Sequence, residues 1–380
     1  MRKSSLLLAV GVVLAACGGD EKGPPKTPAP PTATAPSVPA PTTTGEAPKD
    51  PPKTQASAAD LQKKTLEGFS AAMNAHDAKK MASFYTEDAK LWMPGPPGMP
   101  PTKGREAIAA NFQKMFDAFS NFKTGASRVF VASKENVIVV EWAYSAKHSG
   151  EMHGIKATEK EVGSAGAEVD WFSPEGLIIE QHVFYDMGTT MNQIGAMKPA
   201  QKTRPIPSIP TGMPQIAAST GSPDETKNID LVKAMNGAFE TKKEADFLGP
   251  IADNAEYDDM TQAETMKGKA PAKKWFGDAT KAFPDSKIKT EQVWAFGDIV
   301  VAEATWTGTH KDTFMGIKPT QKKIEVHNLD IFQFKDGKLV KGWTYGNSTE
   351  MMGQLGLLPP PPAAKKDAPP TTAPPPAPKK

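Results

Sequence analysis

Cysteine is almost missing from this chain: Cys17 is the sole one among 380 residues. That count excludes a disulfide framework and a cysteine-ligated zinc site within one chain. Histidine is scarce at six residues, and His148, His153 and His182 with Asp186 have no familiar metal-ligand spacing. Neither sign of charge dominates, since 45 Lys and Arg face 43 Asp and Glu for a net +2. No basic stripe interleaved with aromatics marks a nucleic-acid surface, so no nucleic-acid partner is expected. A glycine-rich phosphate loop and a recognisable Ser-His-Asp spacing are also missing. The apolar run at residues 6–16 is too short to span a bilayer by itself.

What is present begins at that run. Met1-Arg2-Lys3 supplies a positive segment, residues 6–16 have h-region length, and Leu14-Ala15-Ala16-Cys17 looks like a bacterial lipobox. Residues 1–17 therefore read as a lipoprotein signal whose Cys17 is lipidated and becomes the first mature residue. A diacylglycerol thioether plus an N-terminal acyl chain exceeds the two lipid signals that stable anchoring needs. Gly18 in place of an aspartate points to the outer rather than the inner membrane of a bacterial cell envelope. Residues 18–57 are Pro, Ala, Thr and Lys with almost no large apolar side chain, which predicts a disordered tether. At about 3.1 Å per residue in polyproline II it reaches on the order of 100 Å. A linker of similar chemistry covers 198–223, and a Pro/Lys-rich tail covers 359–380. Many of the 37 prolines fall in these three segments, so the overall hydrophobic content understates how apolar the remainder is.

The remainder, 58–197 and 224–358, contains one pattern twice. His148 with Gly154-Ile155 matches His310 with Gly316-Ile317 at a separation of 162 residues (310 − 148). Glu175-Gly176, Asp186 and Gln193-Ile194-Gly195 match Asp336-Gly337, Asn347 and Gln354-Leu355-Gly356 at 161 (347 − 186). Helical positions Leu66, Phe69 and Met73 match Val232, Met235 and Phe239 at 166 (235 − 69). Separations this steady imply two copies of one domain. In the first copy, apolar residues at helical spacing predict helices over 59–75 and 104–119, with a short helix carrying Met81, Phe84 and Tyr85 between them. Strands are expected at 125–133, 137–148, 161–172 and 177–186. Helices followed by antiparallel strands give an α+β class.

Asp336-Gly337 between two apolar runs predicts a two-residue hairpin turn. Counting outward, Phe332 faces Lys341, Asp330 faces Trp343 and Asn328 faces Tyr345, which puts Asp330, Trp343, Tyr345 and Asn347 on one sheet face. The order G-T-H, G-I-x-P-T, F-x-F-x-D-G-K-L, Trp, Q-L-G over residues 224–357 resembles the SnoaL-like polyketide cyclases, within the ketosteroid isomerase and nuclear transport factor 2-like group. The resemblance implies two tandem cone-shaped domains, each a curved antiparallel sheet packed on about three helices, with a pocket at the open end.

In that family an aspartate four residues beyond the Trp position deprotonates a carbon next to a carbonyl, without metal or organic cofactor. Carried over, the resemblance makes Asp186 the catalytic residue of the first copy, with His182 at the Trp position. Even spacing sets His182, Phe184 and Asp186 on one side of their strand, opposite the small residues Ala165 and Ala167, which leave room for a ligand. Apolar surroundings would raise the Asp186 pKa toward that of a useful base. The second copy has Asn347 there, which cannot take a proton at neutral pH. Asp330 is a nearby substitute, or else simply a carboxylate paired with Lys341 or the Trp343 indole. His148 and His310 either line the pocket or tie a strand to the following loop. Trp142, Tyr144, Trp306 and Trp343 read as core or pocket wall.

Two functions are expected from these residues. One is a cofactor-independent ester cyclase or isomerase acting through Asp186 on a small hydrophobic carbonyl ligand. The other is a non-catalytic binding or protein-interaction lipoprotein of the envelope. The resemblance also implies sheet-mediated pairing, either as a dimer or between the two copies of one chain.

Overall fold

A computed structural model describes residues 58–95, 98–197 and 200–358. The signal and lipobox, the tether and the tail lie outside the described residues.

The first copy begins with helices α1 (Ala58–Asn74) and α2 (Ala78–Ala82), then strands β1 (Tyr85–Trp92) and β2 (Thr102–Lys103) and helix α3 (Arg105–Ala118). Four long strands follow, β3 (Phe119–Ala132), β4 (Val137–His148), β5 (Glu161–Phe172) and β6 (Ile178–Tyr185), closed by helix α4 (Met187–Gln193). Strand β7 (Gln215–Ala218) lies between the copies. The second copy repeats the series: α5 (Pro223–Thr241), α6 (Glu244–Leu248), β8 (Ile251–Asp259), β9 (Met266–Lys267), α7 (Lys269–Ala282), β10 (Lys287–Phe296), β11 (Ile299–Thr309), β12 (Lys323–Lys335), β13 (Lys338–Gly346) and α8 (Ser348–Gln354).

The sheets run β2-β1-β6-β5-β4-β3-β7 and β10-β11-β12-β13-β8-β9. Apart from β7 they have the same order, which confirms the duplication. Both are antiparallel except where β1 lies parallel to β6, β8 to β13 and β7 to β3. Even the loop after β4 recurs in the turn after β11. Met152 bridges Ile155 across His153 and Gly154 at φ 50° and 80°, and Phe314 bridges Ile317 across Met315 and Gly316 at 48° and 80°. Two successive positive φ values suit a glycine in second place.

Each sheet curls around its own helices. Phe69, Tyr85, Ile108 and Phe112 form the first interior core, and Phe239, Phe247, Phe276 and Phe332 the second. The opposite sheet faces pack on each other, joining Phe130, Val139, Ala167 and Phe184 to Phe296, Val301, Ile331 and Tyr345. This explains the runs Val137–Val140 and Ile299–Ala302, because a strand covered on both faces is apolar at successive positions.

Three expectations change. Tyr85 opens a strand instead of closing a helix: α2 ends at Ala82, and buried Tyr85 and Leu91 alternate into the core. The segment joining the copies is not simply a spacer, since β7 extends the first sheet beside Arg128 to Val131 and Arg204 reaches Asp258 of the second copy at 3.0 Å. The hairpin keeps its Asp336-Gly337 turn and its Lys335–Lys338 and Phe334–Leu339 pairs, but Val340 is an extra residue. Such a bulge shifts every later pair by one and exchanges the faces. Asp330 therefore opposes Thr344, and Ile331 opposes Trp343.

Candidate active site

The Val340 bulge decides which residues see the interior of the second cone. Asp330, Thr344 and Asp259 stand side by side across β12, β13 and β8, because Asp330 pairs with Thr344 and Thr344 with Asp259. All three line a cavity of about 480 Å³ in the second copy, to which Gln201 and Lys202 of the joining segment also contribute. Its walls are mostly apolar, with Phe239, Trp275, Trp306, Phe314, Val326 and Met351 prominent. Such a hollow with few polar groups is the usual form of a small-molecule site.

Asp330 is buried. Its Oδ1 accepts from the Thr344 hydroxyl and, at 3.5 Å, from the Tyr257 hydroxyl, and its Oδ2 accepts from Asn328 Nδ2 at 2.6 Å. Every partner is neutral. Burial pushes the carboxyl up to about 7, helped by the charge of Asp259 and opposed by the hydrogen bonds from Thr344, Asn328 and Tyr257. Asp259 is itself raised, chiefly by burial, while accepting from the Thr261 amide at 2.9 Å and hydroxyl at 2.7 Å. Two carboxylates in one weakly solvated cavity disfavour joint ionisation. The pairing of Asp330 with Lys341 or the Trp343 indole does not form: Lys341 instead lies over the Trp343 ring at 5.0 Å.

Asn347 also lines the cavity. It sits one residue past β13 as the N-cap of α8, its Oδ1 accepting from the Thr349 amide and hydroxyl at 3.3 and 2.8 Å. The amide N–H groups of Asn347 are left to donate. Tyr257, Asp259 and Thr344 were not singled out in the sequence, and Asn328 was placed opposite Tyr345, whereas it opposes Gly346; a hairpin count that allowed for one bulge would have found Thr344, the residue facing Asp330.

The first-copy residues take other places. His182 and Phe184 point away from their own cone, into the junction between the copies: His182 Nδ1 meets Glu303 at 2.6 Å, and Phe184 joins the shared core. Ala167 is packed in that core with Ala165 against it, so their small size lets the two sheets approach instead of making room for a ligand. Asp186 is buried and caps α4, accepting from the Gly188 amide (3.1 Å) and from the Thr189 amide and hydroxyl (2.8 and 2.7 Å). Ser348 of the second copy adds its amide at 2.9 Å and its hydroxyl at 2.6 Å. Two oxygens that accept five donors form a helix cap and a tie between copies.

His148 and His310 are buried equivalents that fasten strand to loop. Nδ1 of each lies near a threonine hydroxyl, Thr158 at 3.0 Å and Thr320 at 3.2 Å, and their backbone amides donate to the Lys160 and Lys322 carbonyls. Burial lowers both pKa values, which keeps the rings neutral near pH 7. Trp343 lies on the junction side under the Arg128 guanidinium, 3.8 Å from the ring centroid. No group of metal-ligating side chains occurs among the described residues.

The profile of the SnoaL-like polyketide cyclases matches residues 63–194 and again 229–355. The chain belongs to this family, in two tandem copies. Solved structures with similarity include AclR from Streptomyces galilaeus, 24% identical over 36% of this chain and 99% of its own, TM-score 0.33. IdmH from Streptomyces antibioticus is 26% identical over 34% of this chain and 98% of its own, TM-score 0.30. TsrD from Streptomyces laurentii is 18% identical over 36% and 100%, TM-score 0.33. Comparison with curated proteins gives no match.

Proposed function

We propose that the second cone binds a small hydrophobic carbonyl compound and that Asp330 moves a proton on it. The observation that carries this reading is the carboxyl pushed up to about 7 in the wall of a largely apolar 480 Å³ cavity. A group titrating near neutral pH exchanges protons in both directions under working conditions. In the step proposed, the Asp330 carboxylate takes a proton from the carbon beside the carbonyl. The C–H electron pair becomes a carbon–carbon double bond, and the carbonyl pair moves onto oxygen. The Asn347 amide donates a hydrogen bond to that oxygen, and return of the proton from Asp330, at the same carbon or a conjugated one, completes an exchange or isomerisation. In the cyclase outcome the enolate carbon instead attacks an aldehyde carbon of the same molecule: the carbon–carbon bond forms, the aldehyde π pair moves onto its oxygen, and that oxygen takes the proton from Asp330.

The test is deuterium washout from an α-deuterated cyclic ketone, followed by NMR with the whole chain. Asp330→Asn is expected to slow washout by about 10²-fold or more, and Asp186→Asn to leave it unchanged. Binding with no washout in either protein would leave the non-catalytic lipoprotein as the correct reading.

The lipobox supports an anchored location as part of the same proposal: Cys17 holds the chain in the cell envelope, at the outer membrane, with residues 18–57 as the tether. Mass spectrometry of the mature N-terminus should find a lipid-modified Cys17, and an unmodified residue there would remove the anchor.

A further inference from the structure

The two copies can be compared position by position through their strand pairing. Val140 opposes Glu168 as Ala302 opposes Asp330, so Glu168 of the first cone occupies the place of Asp330 in the second. One row further, Trp142 opposes Gly166, which opposes Tyr185; in the second copy Ala304 opposes Asn328, which opposes Gly346. Two large rings in the first cone thus stand where the second has a methyl group and a hydrogen.

The difference falls on the cavity itself. Asn328 and Gly346 line it in the second copy. In the first, the Trp142 indole lies so close over Gly166 that a Cβ on that residue would come within 2.4 Å of the ring. Trp142, Tyr144 and Tyr185 form a closed set of rings, with centroids 6.1 to 6.2 Å apart. The Tyr144 hydroxyl is fixed to Thr190 at 2.7 Å, and Phe122 stacks on its ring at 5.3 Å. In the first cone large rings thus stand at the row whose Asn328 and Gly346 line the cavity of the second.

We propose that Trp142 and Tyr185 are a built-in plug, so that the chain offers one ligand site for its two cones. This rests on the reading of the second cone as the binding site. The occupant expected is an uncharged apolar molecule bearing a carbonyl, because the open cavity has apolar walls and its polar groups gather around Asp330. Ala304 and Gly346 are then the residues that decide which copy binds.

Titration of the whole chain with the neutral fluorescent naphthyl ketone prodan tests this. Wild type is expected to bind one equivalent. Ala304→Trp, which transfers the plug to the second cone, should weaken binding at least tenfold, while Trp142→Ala with Tyr185→Gly should raise the stoichiometry to two. If that double variant fails to fold by circular dichroism, Trp142→Val alone removes the larger ring while keeping a strand-favouring side chain. Two equivalents bound by wild type, one equivalent bound by a folded plug-removed variant, or unchanged binding by Ala304→Trp would each overturn the plug. No binding by wild type would overturn the ligand reading of the second cone, and the plug with it.

Discussion

Asp330 and Asp186 are both buried aspartates in this chain, and their partners separate their roles. The five donors around Asp186 include the open amides of a helix N-terminus and the Ser348 amide and hydroxyl, so its contacts are those of a cap. Asp186→Ala is expected to lower stability by about 1–2 kcal/mol for the lost cap alone, with more from the loss of Ser348, and to leave prodan binding unchanged. Denaturant unfolding measures the first effect and fluorescence the second. Asp330 has only neutral partners, and its pKa is raised on folding. The sign follows directly. Between the unfolded aspartate value of about 4 and about 7 the folded chain holds the extra proton, so this group's contribution to stability falls as pH rises across that window. Asp330→Asn should remove this decline, and thermal unfolding at pH 5 and pH 8 would show it. A parallel decline in both proteins would contradict the assignment.

Secondary structure follows from local rules that single residues obey. Helix α5 begins at Ser222 because its hydroxyl accepts from the Glu225 amide while Glu225 returns a bond to the Ser222 amide, and Pro223 needs no partner at the first helical position. Glu225 also accepts from Gly297 at 2.7 Å, fastening the helix to the β10–β11 turn. Burial acts to raise its pKa, but the amides of Gly297, Thr220, Ser222 and Gly221 outweigh it and hold the value below the usual range. A depressed carboxylate stabilises above its unfolded pKa and loses that contribution as pH falls through the folded one. Glu225→Gln should therefore cost stability at pH 7 and little at pH 3, as measured by urea unfolding. The main helices and strands, the α+β class and the duplicated order were legible in the sequence because apolar spacing acts over a few neighbours; the Ser222 cap was not read there. The site was not. Val340 adds one residue to a strand without leaving a sequence mark, and that residue moved Asp330 from beside Trp343 to beside Thr344. Likewise, the face carrying His182 and Phe184 could not be told from a pocket face, since apolar residues line both a cavity and a sheet-to-sheet junction. The histidines were legible only as equivalents, and their loop partners Thr158 and Thr320 decide their role.

On the scale of the whole molecule, each copy uses the other to cover its outer sheet face. The equivalent glutamates both face the other copy: Glu141 of the first receives the Tyr345 hydroxyl of the second, and Glu303 of the second meets His182 of the first, one step along the strand face from the Tyr345 equivalent Phe184. This is the logic of a two-fold dimer written into one chain, and sedimentation should show a monomer. Burial lowers the His182 pKa, but Glu303 and Glu180 together raise it above the ordinary histidine value, with the Trp92 and Trp171 rings packed around it. A raised histidine gives its full stabilisation below its unfolded pKa and loses it as pH rises through the folded value. His182→Gln should flatten the stability profile above about pH 6.5, opposite in sign to the Glu225 effect and distinguishable by the same unfolding experiment.

The central claim is that the second cone holds a ligand against an acid poised near neutral pH. The most direct measurement follows the Asp330 side-chain carboxyl by carbon-13 NMR through pH, assigned by its loss in Asp330→Asn, with and without prodan. The account predicts a midpoint near 7 that moves when the ketone fills the cavity. A midpoint near the ordinary aspartate value of about 4, indifferent to the ketone, would contradict it.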